Sequence, residues 1–232
     1  MTVDRRTILT LAAASVATSL PATSAAAQSQ TPARANGQFQ ARPLTFDPTA
    51  VPGLSERLLV SHHSNNYVGA VRRLGQIVET FAGLDPANTP GFTINGLKRE
   101  ELTAWNSMIL HELYFSGFGV PSPAGAALGA ALERDFGSHD RWTAEFKSMG
   151  KALGGGSGWA LLTWSARDGR LVNQWAADHT MTLAGSTPIL ALDMYEHAYA
   201  LDYGANAGGY VDAFMAALDW RAATALHAKL EP

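Results

Sequence analysis

The apolar positions change period partway along the chain. From Leu54 to Phe81 they fall at Leu58, Leu59, Val68, Val71, Leu74 and Val78, a helical spacing that predicts one long amphipathic helix. Pro86, Pro90, Gly91 and Gly96 mark a loop over Asp85 to Gly96, and a second helix is expected over Arg99 to Phe115. Two helices joined by a short loop form most simply an antiparallel hairpin. Ser122 and Pro123 open a third helix to Phe136, and Ser138 caps a fourth from His139 to Leu153, stopped by Gly154-Gly155-Gly156. The pattern then shortens to apolar runs at Trp159 to Trp164, Leu171 to Trp175 and Ile189 to Leu192. Asp168-Gly169, between the first two runs, is a hairpin turn signal. Helices are expected again from Met194 to about Leu201 and from Gly209 to Leu230. The fold class is therefore α+β. An N-terminal antiparallel helical hairpin (residues 53–120) precedes a C-terminal α/β half (121–232) with a three-stranded antiparallel sheet.

Two segments precede the hairpin. Residues 28–52 are polar and carry Pro32, Pro43, Pro48 and Pro52, which reads as an extended arm. Residues 1–27 have the order of an export signal: the Arg5-Arg6 pair, a weakly apolar stretch from Ile8 to Leu20, then Ala25-Ala26-Ala27 for the peptidase. The paired arginines point to the twin-arginine route, which carries folded cargo, and hence to the periplasm. The apolar stretch is too short to span a bilayer of about 30 Å, so no membrane association is expected once the signal is removed.

Composition narrows the chemistry. Across 232 residues, 47% are hydrophobic, enough for a sizeable core. A net charge of −3 with no basic block argues against nucleic acid as a partner. With no cysteine, any metal must be held by His, Asp or Glu. In Asp193-Met194-Tyr195-Glu196-His197, a carboxylate at a strand end and a histidine four residues on can converge on one ion. His111, among Met108, Ile109, Leu110, Leu113 and Phe115, and His62, near Leu58 and Leu59, both face inward. Each has an ordinary reading alone, as a core histidine or a helix-end aspartate. Together, three histidines and one carboxylate on separate elements describe a closed nitrogen/oxygen site that suits iron or manganese at least as well as zinc. Tyr114, Phe115, Trp159, Trp164 and Tyr195 lie close in sequence to these residues and could form a dry shell around them.

These segments resemble the iron/manganese superoxide dismutase family over roughly Pro43 to Leu230. Asp193-Met194-Tyr195-Glu196-His197-Ala198-Tyr199, followed by Leu201-Asp202-Tyr203, is similar to the family's D-x-W-E-H-A-Y, with Tyr195 in place of Trp. Gly156-Ser157-Gly158-Trp159-Ala160 is a second match. His111-Glu112-Leu113-Tyr114-Phe115, similar to H-x-x-Y/F-W/F, is a third. The resemblance implies conversion of superoxide to dioxygen and hydrogen peroxide at one iron or manganese ion per chain. The implied ligands are His62, His111, Asp193 and His197, with bound solvent in a fifth position. It also implies that His179, after Asp178, hydrogen-bonds that solvent. Tyr114, Trp159, Tyr195, Tyr199 and Asn66 would surround the site. The implied assembly is a homodimer, or a dimer of dimers, in which Glu196 bridges to His197 of the partner subunit.

The chain also departs from the family. With His62 as ligand, Val71 and Leu74 take the family's apolar positions, whereas Asn66 and Ala70 stand where it has a gateway His and Tyr. Tyr199, which bonds that His in the family, would reach Asn66 or water instead. Gly204 to Tyr210 holds no basic residue, so Arg72, Arg73 or Lys98 would have to attract the anion. Two alternatives stay open. One is a non-catalytic or low-activity metal-binding relative. The other is a non-haem iron oxygenase, against which the fourth protein ligand argues.

Overall fold

The computed structural model describes residues 39–230, so the expected export signal and the start of the arm lie outside the described residues. The arm has no regular structure from Phe39 and bends at Thr45 and Phe46 before Asp47, whose carboxylate caps a short turn over Pro48–Ala50 through the Thr49 amide. The first helical stretch begins with α1, Glu56–Ser61, where the Ser55 hydroxyl accepts from the Leu58 amide. It continues without a break into a π turn, His62–Tyr67, and then α2, Val68–Ala82. Helix α3 spans Gly91–Ser116 and packs against α2. It starts well before the expected Arg99. The amides of Thr93 and Ile94 bond the Pro90 carbonyl, and Leu97 packs into a cluster with Leu74, Ile77 and Ala104. That burial offsets the cost, about 1 kcal/mol each, of Gly91 and Gly96 in the helix.

Helices α4, Ala126–Phe136, and α5, His139–Ala152, follow. Residues 122–125 stay outside α4 because Ser122 donates to Asp219 and the Gly125 amide bonds Thr224. The sheet comprises β1, Trp159–Ser165, β2, Arg170–Ala176, and β3, Ser186–Asp193, all antiparallel in the order β2-β1-β3. Strand β1 is buried at every position, so both its faces are covered, which is why its run of apolar residues shows no alternation. Its register pairs Trp159 with Ala176 on one side and with Asp193 on the other. One end of the sheet therefore gathers Trp159, Asp193 and the exit of β2 toward His179.

Two further expectations need correction. The helix expected from Met194 to Leu201 is a 3₁₀ turn, Glu196–Ala198, followed by the short α6, Ala200–Tyr203. The Tyr195 amide bonds the Asp193 carboxylate and turns the chain before a helix can start. The long helix expected to Leu230 is two, α7, Ala207–Ala217, and α8, Arg221–Leu230. Between them Leu218 is extended, the Asp219 amide donates to the Gly117 carbonyl, and the Asp219 carboxylate takes Ser122 and Arg221.

Candidate metal centre

His62, His111, Asp193 and His197 come together from four elements: the π turn, α3, the end of β3 and the 3₁₀ turn. Their imidazole Nε2 atoms surround one carboxylate oxygen. Asp193 Oδ2 lies 3.1 Å from His62, 3.2 Å from His197 and 3.5 Å from His111. The other oxygen, Oδ1, is held by the Tyr195 amide at 2.9 Å. His62, His111 and Asp193 are fully buried, whereas the His197 side chain is 28% exposed and marks the side open to solvent.

The π turn decides which side chains reach this centre. His62 and Tyr67 are both buried, yet they are five residues apart. In an α-helix that step would set Tyr67 about 140° round from His62. The wider turn, in which the Val68 amide bonds the His63 carbonyl, returns both to the inward face. The family resemblance implied Asn66 in that place, at the position of the gateway His. Asn66 is only half-buried and makes no side-chain hydrogen bond among the described residues; Tyr67 takes the inward place.

Burial sets the protonation states. It pushes the His111 imidazole down to about 3, and it lowers His62 in the same way. For Asp193 burial alone would favour the acid, but hydrogen bonds from His197 and His62 override it and hold the carboxyl well below the usual range. At neutral pH the buried core of the site is the Asp193 carboxylate with the neutral imidazoles of His62 and His111. His111 Nδ1 donates to the Ser107 carbonyl at 2.6 Å, which leaves Nε2 as a bare, buried lone pair with no hydrogen-bond partner. An unpartnered buried lone pair aimed among a carboxylate and two more imidazoles is what a cation would satisfy. Three nitrogens, one oxygen and no sulfur fit iron or manganese.

Aromatic rings close the site. Tyr114 lies 4.9 Å from His62, and Trp159 stands edge-on to His111 at 5.3 Å. The Trp159 indole donates to His179 Nδ1 at 2.9 Å, so a neutral His179 carries its proton on Nε2. Tyr195 is sandwiched between His179 and His197, near-parallel to both, at 4.8 and 5.4 Å. Tyr199 does not reach Asn66; its ring stacks on Tyr210, and the Gly155 amide donates to its hydroxyl. Glu196 is exposed beside the site. His227, distant from these ligands in sequence, is buried against Trp164. Sequence reasoning missed Tyr210. Its hydroxyl donates to the Asp193 carbonyl at 2.8 Å and lies 3.3 Å from the Tyr114 hydroxyl. Among the basic groups considered for attracting an anion, Arg73 is paired with Glu100 and Lys98 with Glu101.

Comparison with known proteins adds an independent finding. Residues 123–226 match the model of the iron/manganese superoxide dismutases, C-terminal domain. Over 187 residues the chain is 63% identical to a superoxide dismutase [Fe] of Cupriavidus metallidurans, covering 80% of this chain and 95% of that protein. It is 36% identical over 196 residues to superoxide dismutase [Mn] 1 of Halobacterium salinarum (79% and 92% covered). Against superoxide dismutase [Fe] of Aquifex pyrophilus it is 34% identical over 184 residues (75% and 84% covered).

Proposed function

The chain belongs to the iron/manganese superoxide dismutase family and is a superoxide dismutase; from that premise we propose that His62, His111, Asp193 and His197 hold its one iron or manganese ion. The observation that carries this reading is the convergence of three imidazole Nε2 atoms on Asp193 Oδ2, with the lone pair of His111 otherwise unsatisfied. The ion, when bound, supplies one-electron chemistry: one superoxide is oxidised to dioxygen and a second is reduced, with two protons, to hydrogen peroxide. The protein's part is electrostatic and protonic. One carboxylate with three neutral imidazoles leaves a residual positive charge with either a divalent or a trivalent ion. Ser107 fixes the His111 tautomer, and the Tyr195 amide with the Tyr210 hydroxyl fixes Asp193 at both ends. His179, left with its proton on Nε2 by the Trp159 indole, would donate to solvent beside a bound ion and so would adjust that solvent's acidity. The rings of Trp159, Tyr195, Tyr114 and Phe115 limit water around it.

Higher identity to the Cupriavidus iron enzyme than to the haloarchaeal manganese enzyme supports iron. We further read residues 1–27 as a twin-arginine export signal, supported by Arg5-Arg6 and Ala25-Ala26-Ala27, and the mature protein as periplasmic. The exposed Glu196 next to His197 supports a homodimer in which it reaches His197 of the partner subunit.

The test is reversible removal of the metal from the purified mature chain. Chelation should abolish superoxide turnover, and iron or manganese alone should restore it. Full metal content with turnover no greater than the free ion would instead mark a chain that kept the site without the chemistry.

A further inference from the structure

The residue after each of two proposed ligands is tied to one residue of the N-terminal arm. Arg42 accepts, at its main-chain carbonyl, a hydrogen bond from His63 Nε2 at 2.8 Å. Its main-chain N–H donates to the Tyr67 hydroxyl at 2.9 Å. Both partners stand on the π turn that carries His62. The Tyr67 hydroxyl in turn donates to Glu112 at 3.0 Å, and Glu112 follows His111 on α3. The Arg42 guanidinium closes the ring onto Glu112 at 3.1 Å. Phe115 lies inside this frame, with its ring 5.1 Å from His62, 5.4 Å from His63 and 6.4 Å from His111.

We propose that Arg42 is a positioning residue of the metal centre: it holds the π turn behind His62 to the helix behind His111 and so fixes where these two imidazoles meet. The inference rests on the ligand reading above. Its physical basis is the π turn. An i→i+5 turn inside a helix is a strained insertion that persists only where surrounding contacts compensate it. Relaxing it to α geometry would rotate either His62 or Tyr67 off the inward face. Four hydrogen bonds and ion-pair contacts from Arg42 and Tyr67 oppose that relaxation, and Pro43 favours the extended backbone that lets Arg42 offer both its main-chain groups. The Arg42 side chain is 75% exposed, so most of the hold is through the main chain and the buried Tyr67 hydroxyl.

The test uses the metal-loaded mature protein, with Tyr67→Phe, Arg42→Ala and Arg42→Lys. Iron release into a chelator should accelerate about tenfold in Tyr67→Phe, which unties both the Arg42 amide and Glu112. It should accelerate roughly 2- to 5-fold in Arg42→Ala, which loses only an exposed ion pair, and Arg42→Lys should restore part of that loss. The ferric electron paramagnetic resonance spectrum should change shape in Tyr67→Phe. The melting-temperature difference between loaded and metal-free protein should also shrink. A merely structural role would lower both melting temperatures equally and leave the spectrum and the release rate untouched, and that result would overturn the proposal. If Tyr67→Phe does not fold, Arg42→Ala alone decides, because its side chain is exposed. A wild-type chain that takes up neither iron nor manganese would overturn the functional reading, and the clamp with it.

Discussion

Trp159→Phe isolates the proton inventory of the site from its ability to hold an ion. The indole N–H is the group that leaves His179 with its proton on Nε2, through a 2.9 Å bond to Nδ1. His179 is itself pushed toward the neutral form, chiefly by burial, so a tautomer, not a charge, is at stake. A neutral hydrogen bond of this kind nets about 0.5–1.5 kcal/mol, which converts to a change of roughly 2- to 12-fold in the population of the productive tautomer. Turnover per metal should fall by that factor, with metal content unchanged, because all four proposed ligands stay in place and a phenyl ring still packs edge-on to His111. The smaller ring also loosens the core, at a cost of about 1–3 kcal/mol. Trp142→Phe separates the two effects. Trp142 is equally buried and its indole likewise makes one hydrogen bond, to Asn173 at 2.9 Å, but Asn173 is not part of the metal centre. Stopped-flow superoxide decay, normalised to metal, should show the loss in Trp159→Phe only, while both variants melt earlier. Equal turnover losses in the two variants, or none in Trp159→Phe, would refute the tautomer argument.

Two other outcomes are expected. Stripped of metal, the protein should lose stability as pH falls. Burial holds His62 and His111 neutral when folded, whereas the unfolded chain protonates them near 6.5; the stability is present above that value and declines below it. The loss is about 1.4 kcal/mol per pH unit for each imidazole, down to about pH 3 for His111, and a urea midpoint unchanged between pH 7 and 5 would contradict it. Glu196→Ala should shift the protein toward monomers in sedimentation at micromolar concentration, while a distribution identical to wild type would remove Glu196 from the proposed interface.

The hairpin and the sheet were legible because their patterning is local: apolar residues at helical spacing along α2, and three short apolar runs with Asp168-Gly169 between the first two. Asp193 and His197 were legible for a similar reason, since they sit four residues apart across one strand end. What the pattern hid depends on contacts distant in sequence. The π turn adds one residue to a helix whose apolar spacing still reads as α, and it is held by Arg42 and Glu112, whose bonds to Tyr67 span 25 and 45 residues. The break between α7 and α8 contains neither Gly nor Pro; it exists because the Asp219 amide finds the Gly117 carbonyl and Ser122 finds Asp219. The early start of α3 runs against Gly91 and Gly96 and follows from the packing of Leu97. Tyr210 reads as one more apolar position in a helix, and its hydroxyl gains meaning only beside the Asp193 carbonyl.

The account stands most directly on where the ion sits. Anomalous scattering from crystals of the metal-loaded mature protein, collected on either side of the iron and manganese absorption edges, locates and identifies it in one experiment. A single peak about 2.0–2.2 Å from Nε2 of His62, His111 and His197 and from Asp193 Oδ2 is the predicted result. A peak held by any other set of side chains, or one that leaves His62 out, would contradict it.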